Sequence, residues 1–143
     1  MDRKAVAQWE GSLRDGKGNL TTDSGVLSSS PYSFATRFEN AKGTNPEELV
    51  AAAHSGCFSM AVSAELTGMG ITPKRIKTQA TVTIDKDKDG PGFSVTKSHL
   101  DVVIEAPGAD KAKVQKAAEG AKANCPISKL LKAEITMQAR YEV

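Results

Sequence analysis

The 143-residue sequence predicts an α+β fold in which strands lead into a helix twice over before a last strand closes the chain. Three observations carry that expectation: short runs that alternate with period 2, a clearly announced helix at Asn45, and an amphipathic run from Ala109 to Ala123. The length suits a single domain spanning residues 1–143, and with 39% hydrophobic residues it can bury a core without staples.

In chain order, Ala5 to Glu10 reads as a strand, Gly16, Gly18 and Gly25 punctuate the next stretch, and Ser33 to Phe38 reads as another strand before Gly43. Alternation there puts Phe34, Thr36 and Phe38 on one face, so Arg37 is expected to point away from the aromatic side. Asn45 can cap free amides, Pro46 suits the first helical position, and Glu47 and Glu48 lie in the first turn, Glu48 completing a capping-box-like pair. That helix is expected to run from Pro46 to about Thr67 and to stop at Gly68 and Gly70. The uncharged run Leu49 to Ala64 is small on every side, which predicts a central helix covered all round. Beyond Pro73, Ile76, Ala80, Val82 and Ile84 alternate with Lys77, Gln79, Thr81 and Thr83. The return strand begins with Phe93 and Val95 at odd positions and ends with Leu100, Val102 and Ile104 at even ones, a parity switch that predicts a bulge near Lys97 to His99. The helix Ala109 to Ala123 turns Val114, Ala117, Ala118 and Ala121 inward, and Ala133 to Val143 alternates cleanly as the last strand.

Charge excludes some partners. The 19 Lys and Arg nearly balance the 17 Asp and Glu, and a net charge of +2 gives no reason to expect nucleic acid. Met1 to Trp9 has no apolar stretch behind its charges and so does not read as a signal peptide. The chain is therefore expected in a reducing cytoplasm, where a disulfide is transient and catalytic more often than structural. Leu49 to Ala64 is too short and too rich in Ser, Gly and His for a membrane span, so no membrane partner is expected.

The residues that invite chemistry are the two cysteines, Cys57 inside the apolar helix and Cys125 before Pro126 at a helix start. They read as a redox pair or, as readily, as two small buried hydrophobes. Asp85, Asp87, Asp89 and Gly90 open like a calcium loop, but Thr96 stands where a bidentate Glu is required, and a solvated hairpin turn is expected. His54 and Cys57 share a helix face, yet with His99 and Cys125 they lack the paired spacing of a structural zinc site. A hydrogen-bonded core histidine is the expected role of His54, with a base for Cys57 as the sharper alternative. The helix-start position leads one to expect Cys125 to be the more acidic thiol. Cys57 would need a cation from another segment, for which Arg37 is best placed, with Glu47 or Glu48 orienting it; the plainer reading on sequence alone is a surface strand arginine and two ordinary first-turn acids.

A resemblance adds to this reading. Trp9-Glu10-Gly11, Gly25-Val26-Leu27, Pro31-Tyr32, Thr36-Arg37-Phe38-Glu39, Lys42-Gly43-Thr44-Asn45-Pro46-Glu47-Glu48-Leu49, Ala52-Ala53-His54, Cys57-Phe58-Ser59-Met60-Ala61, Cys125-Pro126-Ile127-Ser128 and Leu131-Lys132-Ala133-Glu134-Ile135-Thr136 occur in this order. Together they resemble the osmotically inducible protein C (OsmC) branch of the OsmC/Ohr hydroperoxide reductases over essentially the whole chain. Ser55-Gly56 departs from the usual pair of alanines.

The resemblance implies a thiol-dependent peroxidase in oxidative and osmotic stress defence, reducing organic hydroperoxides and, less well, hydrogen peroxide. It implies an intertwined homodimer with two long central helices packed between mixed β-sheets and two sites at the subunit interface. Cys57 is then the peroxidatic thiolate, Cys125 the resolving thiol, Arg37 the cation beside the peroxidatic sulfur and Glu47 the carboxylate that orients it. This reverses the order of attack suggested by acidity alone. The implied reductant is an external dithiol such as a lipoyl-bearing protein, and no metal, flavin or haem is implied. Phe34, Phe38, Phe58 and Met60 are expected to line an apolar pocket that favours organic substrates. The rival reading is a cysteine-based sensor or apolar-ligand-binding module without turnover.

Overall fold

Three strands, β1 (Ala5–Glu10), β2 (Lys17–Thr22) and β3 (Ser30–Tyr32), form an antiparallel sheet in the order β1-β2-β3. The computed structural model describes residues 1–143, and its backbone falls into two compact units, Met1–Leu49 and Val50–Val143. In the first unit Gly18 pairs with Trp9 on one side and Tyr32 on the other, and a β-carbon there would collide with the Tyr32 ring. The missing side chain lets the two aromatic rings meet across the glycine, with centroids 5.4 Å apart.

The segment expected as a strand over Ser33 to Phe38 is instead a short helix, α1 (Phe34–Phe38). Its start is held by a reciprocal cap: the Ser33 side chain accepts from the Thr36 amide at 3.2 Å and the Thr36 hydroxyl accepts from the Ser33 amide at 2.8 Å. Two local bonds outweigh the β-like alternation, and helical geometry brings Phe34 against Phe38 at 4.9 Å. The expected orientation of Arg37 changes with it. The guanidinium lies over the Phe38 ring, 5.2 Å from its centroid, on the aromatic side.

The long helix α2 (Pro46–Gly68) begins where the sequence predicts, with the Asn45 carboxamide oxygen accepting from the Glu48 amide at 2.8 Å. It ends at Gly68, and Gly70 takes a left-handed φ of 74° just beyond. The 23-residue helix includes a stretch of mean hydropathy 1.3 and is long enough to cross a membrane, where the shorter run Leu49 to Ala64 fell short. Its packing within the chain is one-sided. His54, Phe58, Val62 and Leu66, four residues apart, form one buried stripe, while Ala52, Ala53, Gly56, Met60 and Ala64 are exposed. Within one chain, then, the helix is not covered all round, because only the stripe from His54 to Leu66 is buried.

In the second unit β4 (Arg75–Lys86) and β5 (Phe93–Glu105) form an antiparallel hairpin, and β6 (Glu134–Glu142) joins β5 in parallel, giving the order β4-β5-β6. A register shift at Thr83/Ile84 leaves Thr96 as the extra residue, one position before the predicted bulge. At the hairpin end Asp85 accepts from Thr96 at 2.6 Å and Asp87 from Ser94 at 2.5 Å, as a solvated turn closed by its own side chains would. The parallel pairing requires a crossover, supplied by α3 (Lys111–Asn124) and α4 (Pro126–Leu130). Asp110 caps α3 through the Lys113 amide at 2.9 Å, and Val114, Ala117, Ala118 and Ala121 are fully buried, as their spacing predicts. The core joins this face to Phe58, Val62 and Leu66 of α2 and Leu100, Val102 and Ile104 of β5. Each large apolar side chain so buried contributes about 1.5–3 kcal/mol.

Candidate active site

In the first unit the turn between α1 and α2 brings Arg37 and Glu47 together. Gly43, with φ of 152°, passes close to the Thr36 side chain and the Pro31 carbonyl, and the Thr44 amide donates to that carbonyl at 2.9 Å. Arg37 then reaches Glu47 in a fork: Nη2 lies 2.7 Å from Oε1, and Nε lies 3.1 Å from Oε1 and 3.3 Å from Oε2. Of the two candidate carboxylates it is Glu47, not Glu48, that holds the guanidinium. Glu47 is 14% exposed and Arg37 39% exposed, so the carboxylate is the fixed partner and part of the guanidinium stays open. Beside it lies a cavity of about 300 Å³ whose walls include Trp9, Leu13, Tyr32, Phe34 and Phe38.

Phe34 and Phe38 thus line an apolar space as predicted, whereas Phe58 does not. Phe58 is fully buried in the core of the second unit and Met60 is 76% exposed, because the α2 spacing puts one on the packed stripe and the other on the open face.

The second unit holds both thiols. Cys57 is half-buried on α2, Cys125 is fully buried, and the Cys125 thiol donates to the Cys57 sulfur at 2.9 Å. Both are free. Cys125 closes α3 through its amide to the Ala121 carbonyl at 2.9 Å and is also the first cap residue of α4. Burial pushes the Cys57 thiol above its ordinary value, the hydrogen bond and charge of Cys125 add to that, and only a bond from the Ile127 backbone amide pulls the other way. The α4 start, expected from the sequence to favour Cys125, thus offers an amide to Cys57. None of these influences is a cation.

His54 is a fully buried, doubly bonded core histidine, with Nδ1 2.7 Å from the Ser98 hydroxyl and Nε2 2.8 Å from the Ser128 hydroxyl. Burial lowers its pKa from the ordinary 6.5. The folded chain therefore resists a proton that the unfolded chain accepts, so stability is full above pH 6.5 and falls as pH drops toward the lowered value. The expected result is a melting temperature that declines between about pH 7 and 5 in the wild type and declines less in His54→Asn. Alkylation of Cys57 at neutral pH should change by less than about tenfold in that variant, since the imidazole has no contact with the sulfur in this arrangement. His99 pairs instead with Thr136 across β5 and β6, Nδ1 to Oγ1 at 2.6 Å. Ser98, Ser128 and the Ile127 amide escape sequence reasoning, although Ser128 follows Cys125 at the three-residue spacing by which His54 precedes Cys57.

The family pattern described as OsmC-like protein matches residues 39–140. The chain belongs to that family. A protein of Escherichia coli (strain K12) named peroxiredoxin OsmC is 50% identical over 137 residues, covering 96% of this chain and 94% of that one. The organic hydroperoxide resistance protein OhrB of Bacillus subtilis (strain 168) is 27% identical over 121 residues, 85% of this chain and 86% of its own. The crystal structure of OhrB of Bacillus subtilis superposes with a TM-score of 0.75 at 25% identity, covering 96% of this chain and 98% of that one. An OsmC-like protein of Vibrio cholerae gives a TM-score of 0.77 at 19% identity, over 98% and 99% of the two chains, and so shares the fold. The α+β class and the resemblance are both borne out. Half identity along nearly the full length to a peroxiredoxin makes this chain a cysteine-based peroxidase.

Proposed function

We propose that the chain, acting as one OsmC-like peroxidase domain over residues 1–143, reduces organic hydroperoxides in the cytoplasm through Cys57, with Cys125 as the resolving thiol. The observation that carries the reading is the contact of two free thiols at 2.9 Å, since a disulfide needs sulfurs about 2.05 Å apart and little movement separates the two states. The Cys57 thiolate attacks the distal peroxide oxygen; an S–O bond forms, the O–O bond breaks, and the alkoxide leaves as an alcohol after taking a proton. Cys125 then displaces the hydroxyl of the resulting sulfenic acid as water, forming the S–S bond. An external dithiol, such as a lipoyl group, restores both thiols by exchange.

Arg37, oriented by Glu47, is the proposed cation for the thiolate and the leaving oxygen. The aromatic cavity beside Arg37 supports a preference for substrates with an apolar tail, which hydrogen peroxide lacks. The proposed assembly is a homodimer in which a second copy covers the exposed small-residue face of α2. That face, Ala52, Ala53, Gly56, Met60 and Ala64, carries no charge and admits close backbone approach.

Adding about one equivalent of cumene hydroperoxide to reduced protein tests the cycle. The expected product is a Cys57–Cys125 disulfide by peptide mass mapping, and repeated consumption once a dithiol is supplied. Oxidation without turnover would favour a sensor over an enzyme, and an unmodified Cys57 would remove it from the chemistry.

A further inference from the structure

The sulfur contact depends on a helix with little means of its own to stay in place. Cys125 rides at the start of α4, which has five residues and no side-chain cap bond at that start. A helix so short is marginal without tertiary support. Buried Cys125, its amide bond to the Ala121 carbonyl and the packed Ile127 side chain hold its first turn, and the Ile127 amide meets the Cys57 sulfur; the side-chain hydrogen bond that ties α4 to α2 is Ser128, 9% exposed, on His54 Nε2 at 2.8 Å. His54 is held from behind by Ser98 of β5, fully buried, at 2.7 Å from Nδ1. A neutral imidazole has one donor and one acceptor nitrogen, and serine can serve either, so both ring nitrogens are satisfied and the ring plane is fixed.

The spacing ties this row to the thiols. His54 precedes Cys57 by three residues on α2, and Ser128 follows Cys125 by three at the start of α4. The His54–Ser128 bond and the Cys57–Cys125 contact therefore link the same two helices about one turn apart. Full burial of His54 and Ser98 keeps water from competing at their end of the row.

We propose that His54 is a positioning residue for disulfide closure: through Ser128 it holds α4, and with it Cys125, within bonding range of Cys57. This rests on the peroxidase reading only for its use, since the geometry acts on any thiol–disulfide exchange between the two sulfurs. In closure the Cys125 sulfur displaces hydroxide from the Cys57 sulfenic acid, the S–O bond breaks, the S–S bond forms, and the thiol proton leaves with hydroxide as water. The row touches neither peroxide nor sulfur. It sets the effective concentration of one thiol beside the other.

The test is Ser128→Ala in the full chain, with Ser128→Thr, which keeps the hydroxyl, as the rescue. The first readout needs no peroxide: the midpoint potential of the Cys57–Cys125 pair in a dithiothreitol redox buffer. A roughly tenfold loss of effective concentration moves it upward by about 30 mV, and Ser128→Thr returns it most of the way. In single-turnover mixing with cumene hydroperoxide, sulfenic acid should form at the wild-type rate while closure slows about tenfold and more Cys57 reaches the sulfinic state. Unchanged potential and closure rate in a folded Ser128→Ala overturn the proposal, as does a Ser128→Thr no better than Ala. Should Ser128→Ala not fold, Ser98→Ala, which frees the other ring nitrogen, is read in the same way. Wild-type protein that consumes no peroxide would defeat the peroxidase reading, and the potential would still decide the role of the row.

Discussion

Cys57→Ser is expected to abolish peroxide reduction, with no consumption of cumene hydroperoxide above the uncatalysed rate. A serine hydroxyl at this position has neither the nucleophilicity nor the accessible ionisation of a thiol, and no other residue can take its place: the chain's second thiol, Cys125, is fully buried. Cys125→Ser has a different signature. The first peroxide is still consumed, because attack on the O–O bond needs only Cys57, but the sulfenic acid has no neighbouring thiol to close on. Half-exposed Cys57 then meets a second peroxide and accumulates as sulfinic acid, visible as a mass gain of two oxygens on the Cys57 peptide. Continued dithiol-dependent turnover by Cys57→Ser would exchange or cancel the proposed roles.

The sequence discloses most where its signals are local. The Asn45-Pro46 start of α2, the inward row Val114, Ala117, Ala118 and Ala121, and the alternation of β6 each need only a propensity and a period, and the structure has all three. The segment Ser33 to Phe38 misleads because its two phenylalanines are four residues apart, a spacing shared by a strand face and a helix face. The deciding bonds are the reciprocal cap of Ser33 and Thr36, a pairing that period-counting does not weigh. Strands β2 and β3 are hidden by Gly18 and Pro31, although Gly18 sits in β2 to let Trp9 and Tyr32 meet. In the second unit the thiols lie on segments far apart in sequence, and only the β5–α3–α4–β6 crossover returns Cys125 to α2. The resemblance names that pair, whereas charge, spacing and helix position leave it beside the reading of two filler cysteines. His54 is legible as a core residue, but its partners are not, because a serine carries no periodic signature.

Arg37→Ala is expected to raise the pKa of Cys57 and to slow its reaction with an organic hydroperoxide by roughly a hundredfold or more. The reason begins with the thiol. Burial and the neighbouring Cys125 push Cys57 above its ordinary value, and the Ile127 amide alone opposes them, so forming the thiolate at neutral pH calls for a cation. A guanidinium also donates hydrogen bonds to the peroxide oxygens as negative charge builds on the leaving group, a contribution made in the transition state more than in the ground state. The fork from Arg37 to both Glu47 oxygens uses Nε and Nη2 and gives the guanidinium a fixed direction. Glu47→Ala should therefore slow the reaction less than Arg37→Ala, since the charge remains and only its orientation is lost, and both variants should sediment as the wild type does. The pH dependence of Cys57 alkylation reads the first effect and stopped-flow mixing with cumene hydroperoxide reads the second. An alkylation curve and a peroxide rate both unchanged in Arg37→Ala would take this residue out of the mechanism, and the Cys57 thiolate would then have to be formed against burial with the Ile127 amide as its sole identified support.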